Sequence, residues 1–205
     1  YLEGTRRILE GLKENSPDRY LFTSSTSVYG QTDGAWVNEE SETNPEAETS
    51  KVLVETEREI RNAGPWLRNI IVRLGGIYGP GRGYAFKQFV TGNAVIRGDG
   101  GNYMNMIHVE DAAAAIVHLL NHPESNGIYN IVDDEPVTQR DFYGYLSQRM
   151  NLPIPERAAV VEKKRGVTNK RVANQRVKKT GYRFKYPTFR EGYESEIRAV
   201  RGSSF

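Results

Sequence analysis

The 205-residue chain contains no cysteine, which excludes disulfides, thiolate nucleophiles and cysteine-ligated metal centres. Histidine is scarce too, with only His108, His118 and His122. His118 and His122 stand at i and i+4, but Pro123 follows at once and marks a helix end. Capping or surface roles are therefore expected there in place of a metal site. No apolar run approaches the roughly 18 residues of a membrane-spanning helix, so no membrane partner is expected. An excess of one charge is also missing. The 28 Lys+Arg and 26 Asp+Glu leave a formal net charge of +2, too balanced for a dedicated nucleic-acid binder. One local exception runs from Glu162 to Lys185, with Lys163, Lys164, Arg165, Lys170, Arg171, Arg176, Lys178 and Lys179. A solvated helix face is the expected reading of it, with a phosphate-facing patch as the rival. An initiator Met is missing as well. Tyr1 stands inside a stretch where Leu2, Ile8, Leu9 and Leu12 recur at helical spacing, so the natural protein is expected to begin earlier.

What is present is an alternation of elements. Residues 2–14 read as an amphipathic helix, closed by Ser16-Pro17-Asp18. Residues 19–23 read as a short buried strand that ends in the polar cluster Ser24-Ser25-Thr26-Ser27. Residues 30–45 read as a loop and 46–63 as a long helix. Residues 68–74 form a β-branched run, hence a second buried strand, ending in Gly75-Gly76. This succession predicts parallel strands joined by right-handed crossovers, with helices on the sheet faces. Ligands in such sheets sit beyond the carboxyl ends of the strands. Both strand ends here carry small or polar residues, which let a ligand approach the backbone. Farther on, 86–90 reads as a short helix, 104–109 as a strand and 111–121 as a helix that Glu110-Asp111 opens. Residues 127–132 read as a strand. A helix is expected from an N-cap at Thr138 to about Met150, with Asp141 as the acidic partner of the cap. A last short helix is expected from Asn169 or Lys170 to Thr180, stopped by Gly181.

Five segments, taken in order, resemble the extended short-chain dehydrogenase/reductases of the NAD-dependent epimerase/dehydratase family. They are Thr23-Ser24-Ser25-Thr26-Ser27-Val28-Tyr29-Gly30; Glu48-Thr49-Ser50-Lys51; Arg73-Leu74-Gly75-Gly76-Ile77-Tyr78-Gly79-Pro80-Gly81; Gly98-Asp99-Gly100 followed by Asn105-Met106-Ile107-His108-Val109-Glu110-Asp111; and Tyr129-Asn130-Ile131 followed by Asn169-Lys170-Arg171. The resemblance extends to about Glu194. It implies that Ser25, four places before the tyrosine of Val-Tyr-Gly, is catalytic. It also implies that Lys51 is the lysine of the family's Tyr-x-x-x-Lys motif. The tyrosine position of that motif holds Ala47, as in atypical family members that lack the active-site phenol. The family's glycine-rich phosphate loop is expected ahead of Tyr1, because no such loop follows a strand within the chain.

In the family the substrate's hydroxyl proton must leave as hydride passes to nicotinamide. A free phenol, with a pKa of about 10, is a poor base near neutrality. A lysine cation beside it lowers that value. Ala47 exchanges no proton. Either another group serves, with Glu46, Glu48 and Tyr29 as candidates, or the protein binds a dinucleotide without dehydrogenase chemistry, as a sensor or scaffold. The resemblance implies NAD or NADP as cofactor, held by Ser24, Lys51, Gly75, Gly76 and Ile77. It implies a nucleotide sugar or related polyol as substrate, met by Ser25, Tyr29, Asn105, Lys170 and Arg171. His108 is expected to order its strand-to-helix corner. A cytoplasmic homodimer that pairs through helices 2–14 and 46–63, with no nucleic-acid partner, completes the expectation.

The expected fold is α/β: the C-terminal portion of a Rossmann-like doubly wound parallel sheet plus a small α/β substrate-binding lobe. Residues 1–82 are assigned to the second half of an NAD(P)-binding Rossmann domain. Residues 83–205 are assigned mainly to the lobe, with 104–132 returning to the sheet.

Overall fold

Strand β1 (Tyr20–Ser25), β3 (Asn69–Leu74) and β8 (Gly127–Ile131) form a three-stranded sheet in the order β1-β3-β8. All its pairings are parallel, with Ser25 opposite Leu74 and Leu74 opposite Ile131. The structure is a computed structural model that describes residues 1–15, 17–159 and 168–202. Along β3 the side chains alternate between the two faces. Ile71 packs with Leu9 of α1 (Leu2–Leu12) and Ile60 of α2 (Glu48–Arg61). Ile70 and Val72 pack on the other face with Ala115 and Leu119 of α4 (Val109–Asn121) and Val177 of α6 (Gln175–Lys179). Helices thus cover both faces of a parallel sheet, as the run of β-branched residues predicts.

Past β3 the chain leaves this sheet. β4 (Gly76–Tyr78) pairs in parallel with β7 (Met106–His108). α3 (Tyr84–Val90), β5 (Ile96–Arg97), β6 (Tyr103–Met104), β9 (Val137–Thr138), α5 (Gln139–Met150) and β10 (Arg157–Ala158) build the lobe, and α7 (Phe189–Gly192) and α8 (Glu194–Gly202) close it. Its separate core gathers Tyr78, Phe86, Phe142, Leu146, Phe189 and Tyr193. Thr138 caps α5, accepting from the Asp141 N–H at 3.1 Å as its Oγ1 donates to Asp141 Oδ2 at 2.6 Å.

Several boundaries differ from expectation. The expected loop 30–45 contains β2 (Ala35–Val37). The expected helix from 169 or 170 to 180 opens as a strand, β11 (Lys170–Val172), parallel to β2, and only Gln175–Lys179 is α-helical. Strand pairing overrides local propensity there, because both β11 and β2 gain ladder partners. α4 begins at Val109, two residues earlier than expected, because His108 caps it: the Glu110 N–H donates to His108 Nδ1 at 3.2 Å. The basic stretch is not one helical face. Lys170 and Arg171 lie on a strand and Lys178 pairs with Asp134 at 2.9 Å, while Lys163, Lys164 and Arg165 fall outside the described residues.

One ionic cluster joins the elements of the main sheet. Arg73 on β3 donates to Glu57 of α2 from Nη2 to Oε2 at 2.6 Å and from Nε to Oε1 at 3.1 Å. Both side chains are 4% exposed. Ser24 Oγ of β1 donates to Glu57 Oε1 at 2.5 Å, and Arg73 Nη1 donates to Tyr29 Oη at 2.8 Å. Tyr29 Oη lies 2.8 Å from the Asn38 carbonyl and 2.9 Å from Asn130 Oδ1 of β8 and donates its one proton between them. Burial acts to lower the Arg73 guanidinium, but its bonds to Glu57 outweigh that and raise it. Glu57→Ala leaves a buried cation unpaired and is expected to cost about 3–5 kcal/mol. Lys185→Ala, which breaks the exposed 2.6 Å pair with Glu110, is expected to cost at most about 1 kcal/mol. Urea unfolding of both variants checks the contrast.

Candidate functional site

Ser25 ends β1 in extended geometry and caps a single 3-10 turn, Thr26–Val28, by accepting from the Ser27 N–H at 3.1 Å. Its hydroxyl proton remains free to donate, since a serine oxygen offers one donor beside its lone pairs. α2 starts beside this turn. Ala47 is its N-cap, with no side-chain oxygen to bond the first-turn amides. Ser50 Oγ bonds Ser27 Oγ at 3.0 Å and so docks the first turn of α2 against the serine turn. Lys51 is the next residue. Its ammonium pairs with Glu48 at 2.7 Å, with side chains 49% and 84% exposed. An exposed pair of this kind holds its partners weakly. The structure thus brings Ser25 and Lys51 to one corner, with Ala47 buried at the head of α2.

Gly75 carries the chain from the main sheet to the β4–β7 pair. Its N–H donates to the Ile131 carbonyl at 3.1 Å, and the Gly76 N–H donates to the Asn105 carbonyl at 2.8 Å. A Cβ on Gly75 would stand 2.8 Å from Asn105 O and 2.9 Å from Val132 Cγ1. A Cβ on Gly76 would meet only Asn105 O, at 3.5 Å. Gly75 is thus a packing glycine, and Gly76 has an open face. Ile77 packs with the sheet core.

Asn105 grips β11 on both sides. Its Nδ2 donates to the Lys170 carbonyl at 2.9 Å, and its Oδ1 accepts from the Val172 N–H at 2.7 Å. Arg171 donates from Nε to the Gly34 carbonyl at 2.8 Å and lies over the rings of Trp36 and Tyr103, at 5.1 Å from each. Lys170 is 5% exposed, and its Nζ donates to Thr168 Oγ1 at 3.0 Å. Burial pushes its ammonium down to about 8. Nearby, a cavity of about 290 Å³ is lined by Tyr84, Arg97, Tyr103, Gln139, Tyr143 and Thr168 among others.

Not every expected site side chain faces this edge. Ser24 turns its hydroxyl to Glu57, away from the corner. Tyr29 is fully buried, and burial, the largest influence on it, raises its phenol further. It is therefore not placed to exchange a proton with a ligand at this edge. Glu46 and Glu48 are exposed, and Glu48 is held by Lys51. Sequence reasoning did not single out Glu57 or Thr168. An arginine inside the apolar run Ile70-Ile71-Val72-Arg73-Leu74 was the available signal for a buried acidic partner. Thr168 carried none. Among the described residues, no group of three or more His, Asp or Glu could hold a metal, and no helix is long and apolar enough to cross a membrane.

Residues 1–132 match the sequence profile of the NAD dependent epimerase/dehydratase family. Protein YeeZ of Escherichia coli K12 is 30% identical over 195 residues, which cover 91% of this chain and 65% of that relative. The chain thus spans slightly less than two thirds of that relative's length. Human epimerase family protein SDR39U1, solved with NADPH, superposes with a TM-score of 0.83 at 20% identity, over 98% of this chain and 72% of that one. UDP-glucuronic acid 4-epimerase from Bacillus cereus, solved with NAD, does so with a TM-score of 0.80 at 18% identity, over 100% and 68%. These two likenesses establish the fold: an α/β architecture on a Rossmann-type parallel sheet.

The contrast between the two glycines is testable. Gly75→Ala forces a Cβ against backbone and is expected to cost about 1–3 kcal/mol. Gly76→Ala should lie within about 0.5 kcal/mol of the parent. Thermal or urea unfolding measures both.

Proposed function

Since the chain belongs to the NAD dependent epimerase/dehydratase family, we propose that it forms the substrate-facing part of an NAD(P)-linked oxidoreductase acting on a nucleotide sugar or a related polyol. One observation carries this reading: the Ser27–Ser50 bond holds Ser25 and Lys51 at a single corner beyond the carboxyl end of β1, where open parallel sheets take their ligands. In this reading residues 1–82 belong to the dinucleotide half. Residues 83–205 belong mainly to the substrate lobe, with 104–132 returning to the sheet.

The residues suit the nicotinamide end of a dinucleotide. The half-exposed Lys51 ammonium is tied to an exposed carboxylate, Glu48, and can exchange it for a ribose diol. Gly76 leaves its backbone open to a ring. When bound, the dinucleotide supplies hydride transfer. Ser25 donates its free proton to the substrate oxygen and orients it. Ala47 supplies no base, and neither do Tyr29, Glu46 or Glu48 in their observed places. Asn105 has its amide engaged with the backbone of β11, and Arg171 spends its Nε on the Gly34 carbonyl.

The second reading is a non-catalytic dinucleotide-binding module. The absence of a phenol at 47 favours it, because a sensor needs Lys51 and no base. Titration of the full-length protein with NAD and NADP, followed by turnover on nucleotide sugars, separates the two. Lys51→Met is expected to weaken dinucleotide binding about 10- to 100-fold, the loss of one charge-assisted bond. Ser25→Ala should leave that affinity within about twofold and lower turnover about 100-fold. Tight binding with no turnover of any carbinol substrate establishes the module. Light scattering addresses the proposed homodimer through α1 and α2, and a monomer at micromolar concentration rejects it.

A further inference from the structure

Lys170 is 5% exposed, yet no acidic side chain among the described residues pairs with it, and Thr168 Oγ1 at 3.0 Å is the one side-chain partner of its Nζ. A buried ammonium with one hydroxyl partner is an expensive arrangement for a structural residue. The backbone around it is held tightly. The Asn169 N–H donates to the Gln31 carbonyl at 2.8 Å, and the Asn169 carbonyl accepts from the Gly34 N–H at 2.9 Å. Asn169 Oδ1 accepts from the Tyr103 N–H at 2.9 Å, and Asn105 clamps β11 from the other side. Thr168 stands in the wall of the 290 Å³ cavity, and its hydroxyl accepts from the Lys170 ammonium.

The geometry points to Thr168 and Lys170 as a proton-transfer pair serving a polyhydroxylated ligand in this cavity. The ligand's O–H bond breaks as its proton passes to Thr168 Oγ1. Thr168's own proton passes to the neutral Lys170 amine, which becomes the ammonium, and the return step reverses both transfers. No oxidant enters this exchange. The proposal rests on the function given above only for the identity of the ligand. It places the acid–base group that Ala47 cannot be on β11, one hydroxyl removed from the cavity.

The surroundings let the amine be neutral near physiological pH. Of the two strands packed against β11, β2 offers Ala35, Trp36 and Val37 and no titratable group, while β6 offers only Tyr103, which lies over Arg171. On β11 itself Arg171 is bonded to the Gly34 carbonyl. Asp33, ahead of β2, accepts from the Ala35 N–H. Among the described residues nothing opposes desolvation, which lowers Lys170 to about 8, so a substantial neutral fraction exists where ordinary lysines are almost wholly charged.

Two titrations on the intact protein test this without dehydrogenase turnover or dinucleotide binding, so their failure is distinct from failure of the proposed function. In 13C-lysine NMR, Lys170 should titrate near 8, and Thr168→Val should lower that midpoint by about 0.5 unit or more, because the charged form loses its acceptor. A Lys170 that titrates in the ordinary lysine range, or whose midpoint Thr168→Val leaves in place, overturns the proposal.

Discussion

The buried pair of Arg73 and Glu57 is the constraint on which the rest of this molecule depends. A guanidinium in the middle strand of a parallel sheet has no water to turn to, so α2 must deliver a carboxylate to it. That requirement fixes the rotation and height of α2 over β1 and β3. Glu57 Oε1 also draws in Ser24, and an Nη1 proton of the guanidinium draws in Tyr29. Tyr29 in turn reaches Asn130, whose side chain bonds the Ala173 carbonyl just past β11. A single ionic contact therefore sets the mutual position of β1, β3, β8, α2 and the start of the C-terminal segment. The corner that holds Ser25 and Lys51 sits at the end of the same helix and the same strand. Its geometry is a consequence of the ion pair, although neither charged residue touches the corner.

A second clamp does the same for the far side. Asp111, 1% exposed at the first turn of α4, accepts from the Tyr182 hydroxyl at 2.9 Å, from the Lys185 N–H at 2.8 Å and from the Tyr186 N–H at 2.8 Å. Three donors on one carboxylate return the C-terminal chain to the sheet, and the amino end of a helix favours the charge. Glu39, which accepts from the Asn130 N–H at 2.8 Å, ties the long loop after β1 to β8 in the same manner, with burial raising its carboxyl. Buried polar groups here act as fasteners between chain segments far apart in sequence, while the apolar clusters supply the bulk of the stabilisation.

Much of this was legible in the sequence where one period dominates. The β-branched run of 69–74 and the amphipathic spacing of α1 and α2 encode their burial directly, and the Thr138 cap is written in the residues that form it. Register between segments was not legible. Nothing in Lys170-Arg171-Val172 distinguishes a strand from a helix turn until β2 is known to lie beside it. β2 itself is three residues inside a stretch of turn formers. The motif resemblance singled out Ser25, Lys51, Gly75 and Gly76 by their place in the chain, yet it could not say which hydroxyl of the serine cluster is already spent. Ser24 and Ser25 differ by one position, which on a strand means opposite faces. One faces Glu57 and the other keeps its proton.

The position of Ala47 acquires its meaning from the same physics. A phenol there would share the corner with Lys51, whose cation would favour the phenolate. With alanine, Lys51 has no phenol to influence, and its cation can act only on what binds. The rest of the corner offers a donor in Ser25. By contrast, burial lowers the Lys170 ammonium, and no carboxylate among the described residues opposes it. The two lysines differ in burial: Lys51 is half exposed and paired with Glu48, whereas Lys170 is buried and inclined to give its proton up. On the proposed reading the two functions fall on different elements. The serine corner would bind and orient, and β11 would move the proton.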